Sequence, residues 1–372
     1  MQCVRIALLS LMLSALAAAQ PQFVYTNNQS APNTVTGFLV SSDGSLTQIP
    51  GSPFATGDNG QNGTPSAIAV TTSKEKNYLY AANGADGTIS GFRINPRTGH
   101  LRLVHGSPFA TDWLSADYSL AITPNNRFLF VANDEAALIH VFRIAIGTGE
   151  LHEVSGSPFP VSTRFSSLKV SSNGRFLLAG SGNVAGVTVF RISESGVISE
   201  APGSPFPSSV SVAALESNCS GNLVFAAGFR LIDVFTLGRH GSLMPVPGSP
   251  FSDGEPNGDM VLSPDGRFLF ATNIFAQTDS VFAVSADGSL APVEGSPFAL
   301  PDFTTGVAIT PRGDFLYTAL SISGSVDGRR VGANGALTPV PGTPFGTGEN
   351  SIAGLVESVV TFPAPACSRH ER

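Results

Sequence analysis

Charge is scarce in this chain. Asp, Glu, Lys and Arg make up 13% of its 372 residues, and the formal net charge is -7. No run of Lys and Arg occurs, which excludes the clustered basic surface that phosphate backbones require, so no nucleic-acid partner is expected. Beyond the first twenty positions no apolar run approaches the roughly 20 residues of a spanning helix, so no membrane span is expected in the mature chain. Three cysteines are too few for a disulfide-built scaffold. Also missing are the G-x-S-x-G elbow, the C-x-x-C pair, the H-E-x-x-H helix and the P-loop. Their absence removes the common hydrolase, zinc and nucleotide signatures, and no cofactor is expected.

Gly and Pro are abundant instead, at 40 and 27 residues, a balance that suits short strands and tight turns better than long helices. Much of it lies in one repeated tetrapeptide. "GSPF" begins at residues 51, 106, 156, 203, 248 and 295, and a variant "GTPF" begins at 342. The intervals of 55, 50, 47, 45, 47 and 47 residues indicate seven supersecondary units stacked around a shared core.

Each unit holds an aromatic-rich run, such as "FVYTNN" (23–28), "FLFVAN" (128–133) or "FLYTAL" (315–320). These are apolar on both faces and read as buried central strands. A looser run follows, as in "LIHVFRI" (138–144), and then a turn with glycine at a fixed place: Gly44, Gly99, Gly149, Gly196, Gly241, Gly288 and Gly335. Glycine tolerates the positive φ of tight hairpins. An outer strand then closes with the tetrapeptide. With the apolar strand upstream of each aromatic run, as in "MVLSPDGRFLF", each unit has four antiparallel strands, which is a propeller blade.

The turn between first and second strands occurs only six times, because Phe23 has no strand before it. The C-terminal run "SIAGLVESVVTF" (351–362) has none after it. Pairing the two removes both anomalies and two exposed edges. The expected fold is therefore an all-β, seven-bladed β-propeller, closed by the C-terminal strand on the N-terminal blade. In the tetrapeptide, glycine bends the chain where the outer strand ends, proline keeps the preceding serine extended on an edge, and phenylalanine packs between blades. Seven such serines around a rim make no sense as nucleophiles.

The opening segment "MQCVRIALLSLMLSALAAAQ" combines Arg5, an apolar run from Ile6 to Leu16 and the small residues Ala17–Ala19. It reads as an export signal cut after Ala19. The expected organisation is a signal peptide over 1–19, one propeller domain over 20–363 and a tail over 364–372, in a secreted or periplasmic monomer. Cys219 and Cys367 are then the only thiols of the mature chain, and whether they pair stays open at this stage.

The recurring "FVYTNN", "LFVAN" and "SPDGRFLF" are similar to the YVTN repeats of the lactonase-like seven-bladed propellers, the family of bacterial 6-phosphogluconolactonase and fungal carboxymuconate cyclase. The resemblance covers about residues 23 to 362. It implies a site on one face near the central channel, with His, Arg and Glu supplied by inner-strand starts and adjoining loops. Here those starts are "TPSAI" (64–68), "ADYSL" (116–120), "RFSSL" (164–168), "SVAAL" (211–215), "NGDMV" (257–261), "TTGVA" (304–308) and "NSIAG" (350–354), and none contains histidine. His140 falls in a third strand, and the others fall near outer turns or in the tail. At the ends of the aromatic strands, Asn28, Asn83, Asn133 and Asn273 read as formers of the adjoining turns.

Two loops supply candidate side chains. The segment "ATDWLSADYS" (110–119) sets the single tryptophan, Trp113, beside Asp112, Asp117 and Tyr118, an aromatic platform with carboxylates that suits sugars and other polar small molecules. Arg164 adds an anion contact. The segment "SDGEPNGD" (252–259) gathers Asp253, Glu255 and Asp259, oxygen ligands of the kind that hold calcium. Pro264 stands where an EF-hand places its bidentate Glu, so the segment reads as a solvated turn and no metal is expected. The expected function is an exported module that recognises a small polar ligand or a surface protein through the loops of one face. The alternative is a lactone hydrolase in which Arg164, with Asp117 or Asp259, activates water without histidine. A purely structural surface protein is the third reading.

Overall fold

The aromatic-rich runs lie at the middle of seven sheets, and the reason is burial on both faces. Phe23–Asn28, Tyr78–Asn83, Phe176–Ser181 and Phe315–Leu320 have no exposed residue. The computed structural model describes residues 20–28, 33–57, 65–70, 77–111, 118–133, 137–348 and 356–365. Each central strand pairs antiparallel with an inner strand on one side and a third strand on the other, as in Leu120↔Val131 and Phe130↔Val141 of the third blade. The inner strands touch one another in turn around the channel, and Val356–Phe362 fits between Thr304–Ile309 and Pro65–Val70. That last strand pairs with the first, with Phe23↔Phe362, Val24↔Thr361 and Tyr25↔Val360. The fold is the seven-bladed propeller read from the repeats, sealed between its two ends over 356–362. No helix among the described residues is long and apolar enough to cross a membrane.

Adjacent blades are locked by the glycine turns. The seven turn glycines have φ between +71° and +91°, so each needs the left-handed conformation. Each also packs on the central strand of the preceding blade. A Cβ on Gly99 would lie 2.5 Å from the Phe23 ring, and one on Gly335 would lie 2.6 Å from Phe268. Gly44 meets Phe315 in the same way, so the contact runs across the closure of the ring as well. Tyr25, Tyr80 and Tyr317 donate their hydroxyls to the carbonyls of Gly99, Gly149 and Gly44 at 2.7 to 2.8 Å. These bonds satisfy groups that burial would otherwise leave costly.

The tetrapeptide interrupts the outer strand instead of ending it. In the first blade Leu46–Gln48 pairs with the C-terminal half of the third strand, and Phe54–Ala55 resumes the pairing at Val35 and Thr34. Ser52 Oγ accepts the N–H of Gly37 at 2.9 Å, where the bulged chain has carried its own carbonyls out of reach. The same bond joins Ser107 to Gly91, Ser157 to Val141, Ser204 to Val189, Ser249 to Val234, Ser296 to Val281 and Thr343 to Gly328, at 2.7 to 3.0 Å. A hydroxyl therefore supplies the missing ladder acceptor in every blade. The Ser-Pro and Thr-Pro bonds at these seven places are cis.

Two further readings are corrected. Asn28, Asn83 and Asn273 do not bond turn backbone. Each donates Nδ2 to two hydroxyls of the neighbouring third strand, as Asn83 does to Thr88 and Ser90 at 3.0 and 2.7 Å. Their burial inside the sheet turns the amide toward the hydroxyl pair. The segment 252–259 is not a solvated turn but part of one strand, Phe251–Leu262, which pairs with the fifth blade at Ile232↔Phe251 and the sixth at Met260↔Ala271. Extended backbone there carries the chain from one blade to the next.

One seam departs from the repeat. On the third strands Val35, Ile89, Ile139, Val187, Ile232 and Val326 occupy one register position, opposite the phenylalanine of the tetrapeptide. The sixth blade has Asp279 there, 1% exposed. Its Oδ2 accepts from Thr318 Oγ1 at 2.9 Å, while Oδ1 has no partner among the described residues. Burial, with Asp327 nearby, pushes its pKa up to about 7 despite the Thr318 bond and Arg329.

Candidate site in the central channel

The register against the central strands defines a ring of seven channel positions. Five are apolar: Ala69, Ala121, Val261, Ala308 and Val360, which pair with Tyr80, Phe130, Phe270, Tyr317 and Tyr25. The other two are Lys169, opposite Leu178, and Glu216, opposite Phe225, on adjacent blades. Lys169 Nζ meets Glu216 Oε1 at 2.6 Å. The glutamate side chain is 6% exposed and the lysine side chain 36%. Glu216 Oε1 also accepts the N–H of Ser217 at 2.7 Å. A buried carboxylate needs such partners to remain charged.

On the next blade along, Asp259 joins this pair electrostatically. Its Oδ1 accepts the N–H of Met260 at 2.8 Å, and its Oδ2 accepts that of Val307, on the following blade, at 3.1 Å. Burial is the main influence and raises its pKa to about 6. The two N–H bonds and the charge of Lys169 lower it, and Glu216 adds to the rise. A second carboxylate close to the first is harder to ionise, and a nearby ammonium offsets this. Three titratable groups on three successive inner strands thus share one stretch of the channel. Among the described residues no group of three or more His, Cys, Asp and Glu has the arrangement to hold a metal ion.

Of the residues expected from sequence, Asp259 lies in this group. Arg164 is exposed in the connection before Ser167–Val170 and makes no polar contact among the described residues. Asp112, Trp113 and Asp117 lie outside the described residues, and Tyr118 begins the strand Tyr118–Ile122 with its side chain likewise outside them. The side chains of Asp253 and Glu255 are outside them too. His140 is buried in its third strand and bonds Glu153 at 2.6 Å, away from the inner strands. Lys169 and Glu216 escaped the sequence reading, because the strand starts 164–168 and 211–215 stop one residue short of each. A signal was present: lysine occurs three times in the chain, and once on an inner strand.

Comparison with known proteins agrees with this architecture. Residues 18–165 match the family model described as Lactonase, 7-bladed beta-propeller. A Bacteroides fragilis protein provisionally called a 6-phosphogluconolactonase superposes with a TM-score of 0.71 at 18% identity, covering 93% of this chain and 99% of that one. The fold is that of the lactonase-like seven-bladed propellers. The periplasmic gluconolactonase of Pseudomonas aeruginosa gives a TM-score of 0.68 at 20% identity, over 88% of this chain and 97% of that one. A Lactobacillus plantarum protein gives 0.70 at 18% identity, over 92% and 99%. A search of curated proteins returned no match. At such identities the lactonase-like structures share the fold, and activity has to be argued from the channel.

Proposed function

We propose that this lactonase-like propeller hydrolyses a lactone of a small polar acid in its central channel. The observation that carries the reading is the Lys169 and Glu216 pair set into an otherwise apolar ring, with Asp259 beside it on the next blade. In this reading Asp259, with a pKa near 6, takes a proton from a water molecule as its oxygen attacks the lactone carbonyl. A base poised close to the working pH suits that step. Lys169 faces the oxyanion of the tetrahedral intermediate, where a fixed positive charge has its largest effect. The intermediate collapses by breaking the bond between carbonyl carbon and ring oxygen, and the proton held by Asp259 passes to that oxygen. Lactone and water become one hydroxy acid. Glu216 acts through Lys169 and is a positioning residue.

The family likeness supports hydrolysis over recognition by loops. Lys169 takes the part that sequence alone gave to Arg164. The test is proton release from a panel of aldonolactones and muconolactones. Turnover is expected with at least one, falling about 100-fold or more in Lys169→Ala. No turnover on any lactone, or equal turnover in the variant, would overturn the assignment.

The same reading places the protein outside the cytoplasm. The export-signal pattern of residues 1–19 supports it, as does Cys219, which is disulfide-bonded in a way that suits an oxidising compartment. Cys367 lies outside the described residues. Sequencing the N-terminus of protein recovered from cell fractions should find Gln20 first, outside the cytoplasm; an intact Met1 start would contradict export.

A further inference from the structure

Charge is unevenly shared among the blades. Residues 65–110, the second repeat, hold five Lys and Arg against two Asp and Glu, a balance of +3 in a chain of -7, which leaves -10 elsewhere. Three of these basic residues meet in space. Arg93 on the third strand stands directly opposite Arg102 on the outer strand, and Arg97 lies in the turn between them. Together with His100 they line a groove of about 850 Å³ whose other wall includes Ile49 and Pro50 of the first blade. Among the described residues no Asp or Glu lines it.

Like charges directly opposite on paired strands are destabilising, and the other blades avoid this. Arg143 faces His152, Arg191 faces Ser199 and Arg330 faces Thr338. Those arginines are also engaged. Arg191 and Arg330 donate to the carbonyls of His240 and Asp43, and Arg143 lies over the Phe128 ring. Arg93, Arg97 and Arg102 are exposed and form no ion pair among the described residues. Three guanidinium groups held unneutralised around one concavity make a site for an anion, since each presents a fork of donors that matches phosphate or sulfate oxygens.

We propose that this groove binds a small ligand carrying phosphate or sulfate groups. Its volume suits a molecule of about disaccharide size. The -10 carried by the rest of the chain opposes a long polyanion, which would extend beyond the groove. The groove lies between the outer parts of the second and first blades and is independent of the channel group, so the site stands or falls apart from lactone hydrolysis.

The experiment is calorimetric titration of the full chain at low salt with pyrophosphate, a disulfated disaccharide and an uncharged disaccharide. One or both anions should bind, and whichever binds more tightly identifies phosphate or sulfate as the group recognised. Binding should weaken about tenfold or more in Arg93→Gln/Arg102→Gln, stay unchanged in Arg143→Gln, and weaken as salt is added. The double variant relieves the repulsion, so its ligand-free melting midpoint should be no lower than the parent's. Absence of binding by both anions, equal binding by the double variant, or equal binding of the uncharged disaccharide would each overturn the proposal.

Discussion

The rim and the channel come from the same seven repeats and use them in opposite ways. At the rim nothing varies that matters: a Ser or Thr hydroxyl accepts a third-strand N–H in all seven blades, and a left-handed glycine packs on the preceding central strand in all seven. The variant "GTPF" keeps the hydroxyl and so keeps the bond. In the channel five positions of one ring are Ala or Val, and two neighbours carry opposite charges. Residues that recur hold the ring together, and departures from the recurrence carry its particular chemistry. Asp279 adds a third kind of departure, one placed inside a seam, where it acts on stability.

Removing what closes the ring should have the largest effect. A chain ending at residue 355 lacks the inner strand of the first blade and uncovers the edge of Phe23–Asn28 that Val356–Phe362 pairs with. It should lose its cooperative thermal transition, and a melt matching that of the full chain would refute the account of closure.

Next in size is the channel. Asp259→Asn should lower lactone turnover by about 10²–10⁴-fold. The parent's rate should rise with pH through about 6, because the base must lose its proton and burial has raised its pKa to that value. A flat rate between pH 5 and 7 would remove Asp259 from the role.

The seam comes third. Asp279 has a folded pKa of about 7 against about 4 in an unfolded chain. The folded state therefore holds its proton where the unfolded state has released it. The contribution of Asp279 to stability is fully present below about pH 4 and is lost as pH rises toward 7, by up to about 4 kcal/mol. Asp279→Val, which restores the residue type of the other six blades, should flatten that slope and raise stability at pH 8 by about 2 kcal/mol. Chemical denaturation of both proteins at pH 5 and pH 8 measures it.

The smallest effects lie at the rim. Ser107→Ala leaves the Gly91 N–H without its acceptor and should cost about 1 kcal/mol. Thr343→Ser should cost less than about 0.5 kcal/mol, since the hydroxyl remains. Denaturant midpoints separate the two.

The rim was legible in the sequence because seven copies of one tetrapeptide repeat both residue and spacing, and strand counting alone located the closure. The manner in which Ser52 works was less legible, since an accepting hydroxyl inside a broken strand and a serine at a strand end look alike in one dimension. The channel was harder. "SSLKV" and "AALES" are ordinary inner strands until their register against the central strands is known, and only then do Lys169 and Glu216 fall at one level. Asp259 was visible because it falls inside the expected strand start 257–261 and beside the other carboxylates of 252–259. The Arg93 and Arg102 pair was hidden for the reverse reason: nine positions apart in the chain, they form no basic run, and a hairpin brings them face to face.

The most direct test is to restore the repeat in the channel by changing Lys169 and Glu216 together to Ala, the residue of three other blades. Lactone turnover and the thermal midpoint are then measured on the same preparation. The account predicts that turnover is lost while the midpoint is unchanged or higher, because an apolar pair replaces a buried ion pair. Retained turnover with a midpoint lowered by several degrees would show instead that the pair holds the ring together, and would contradict the account.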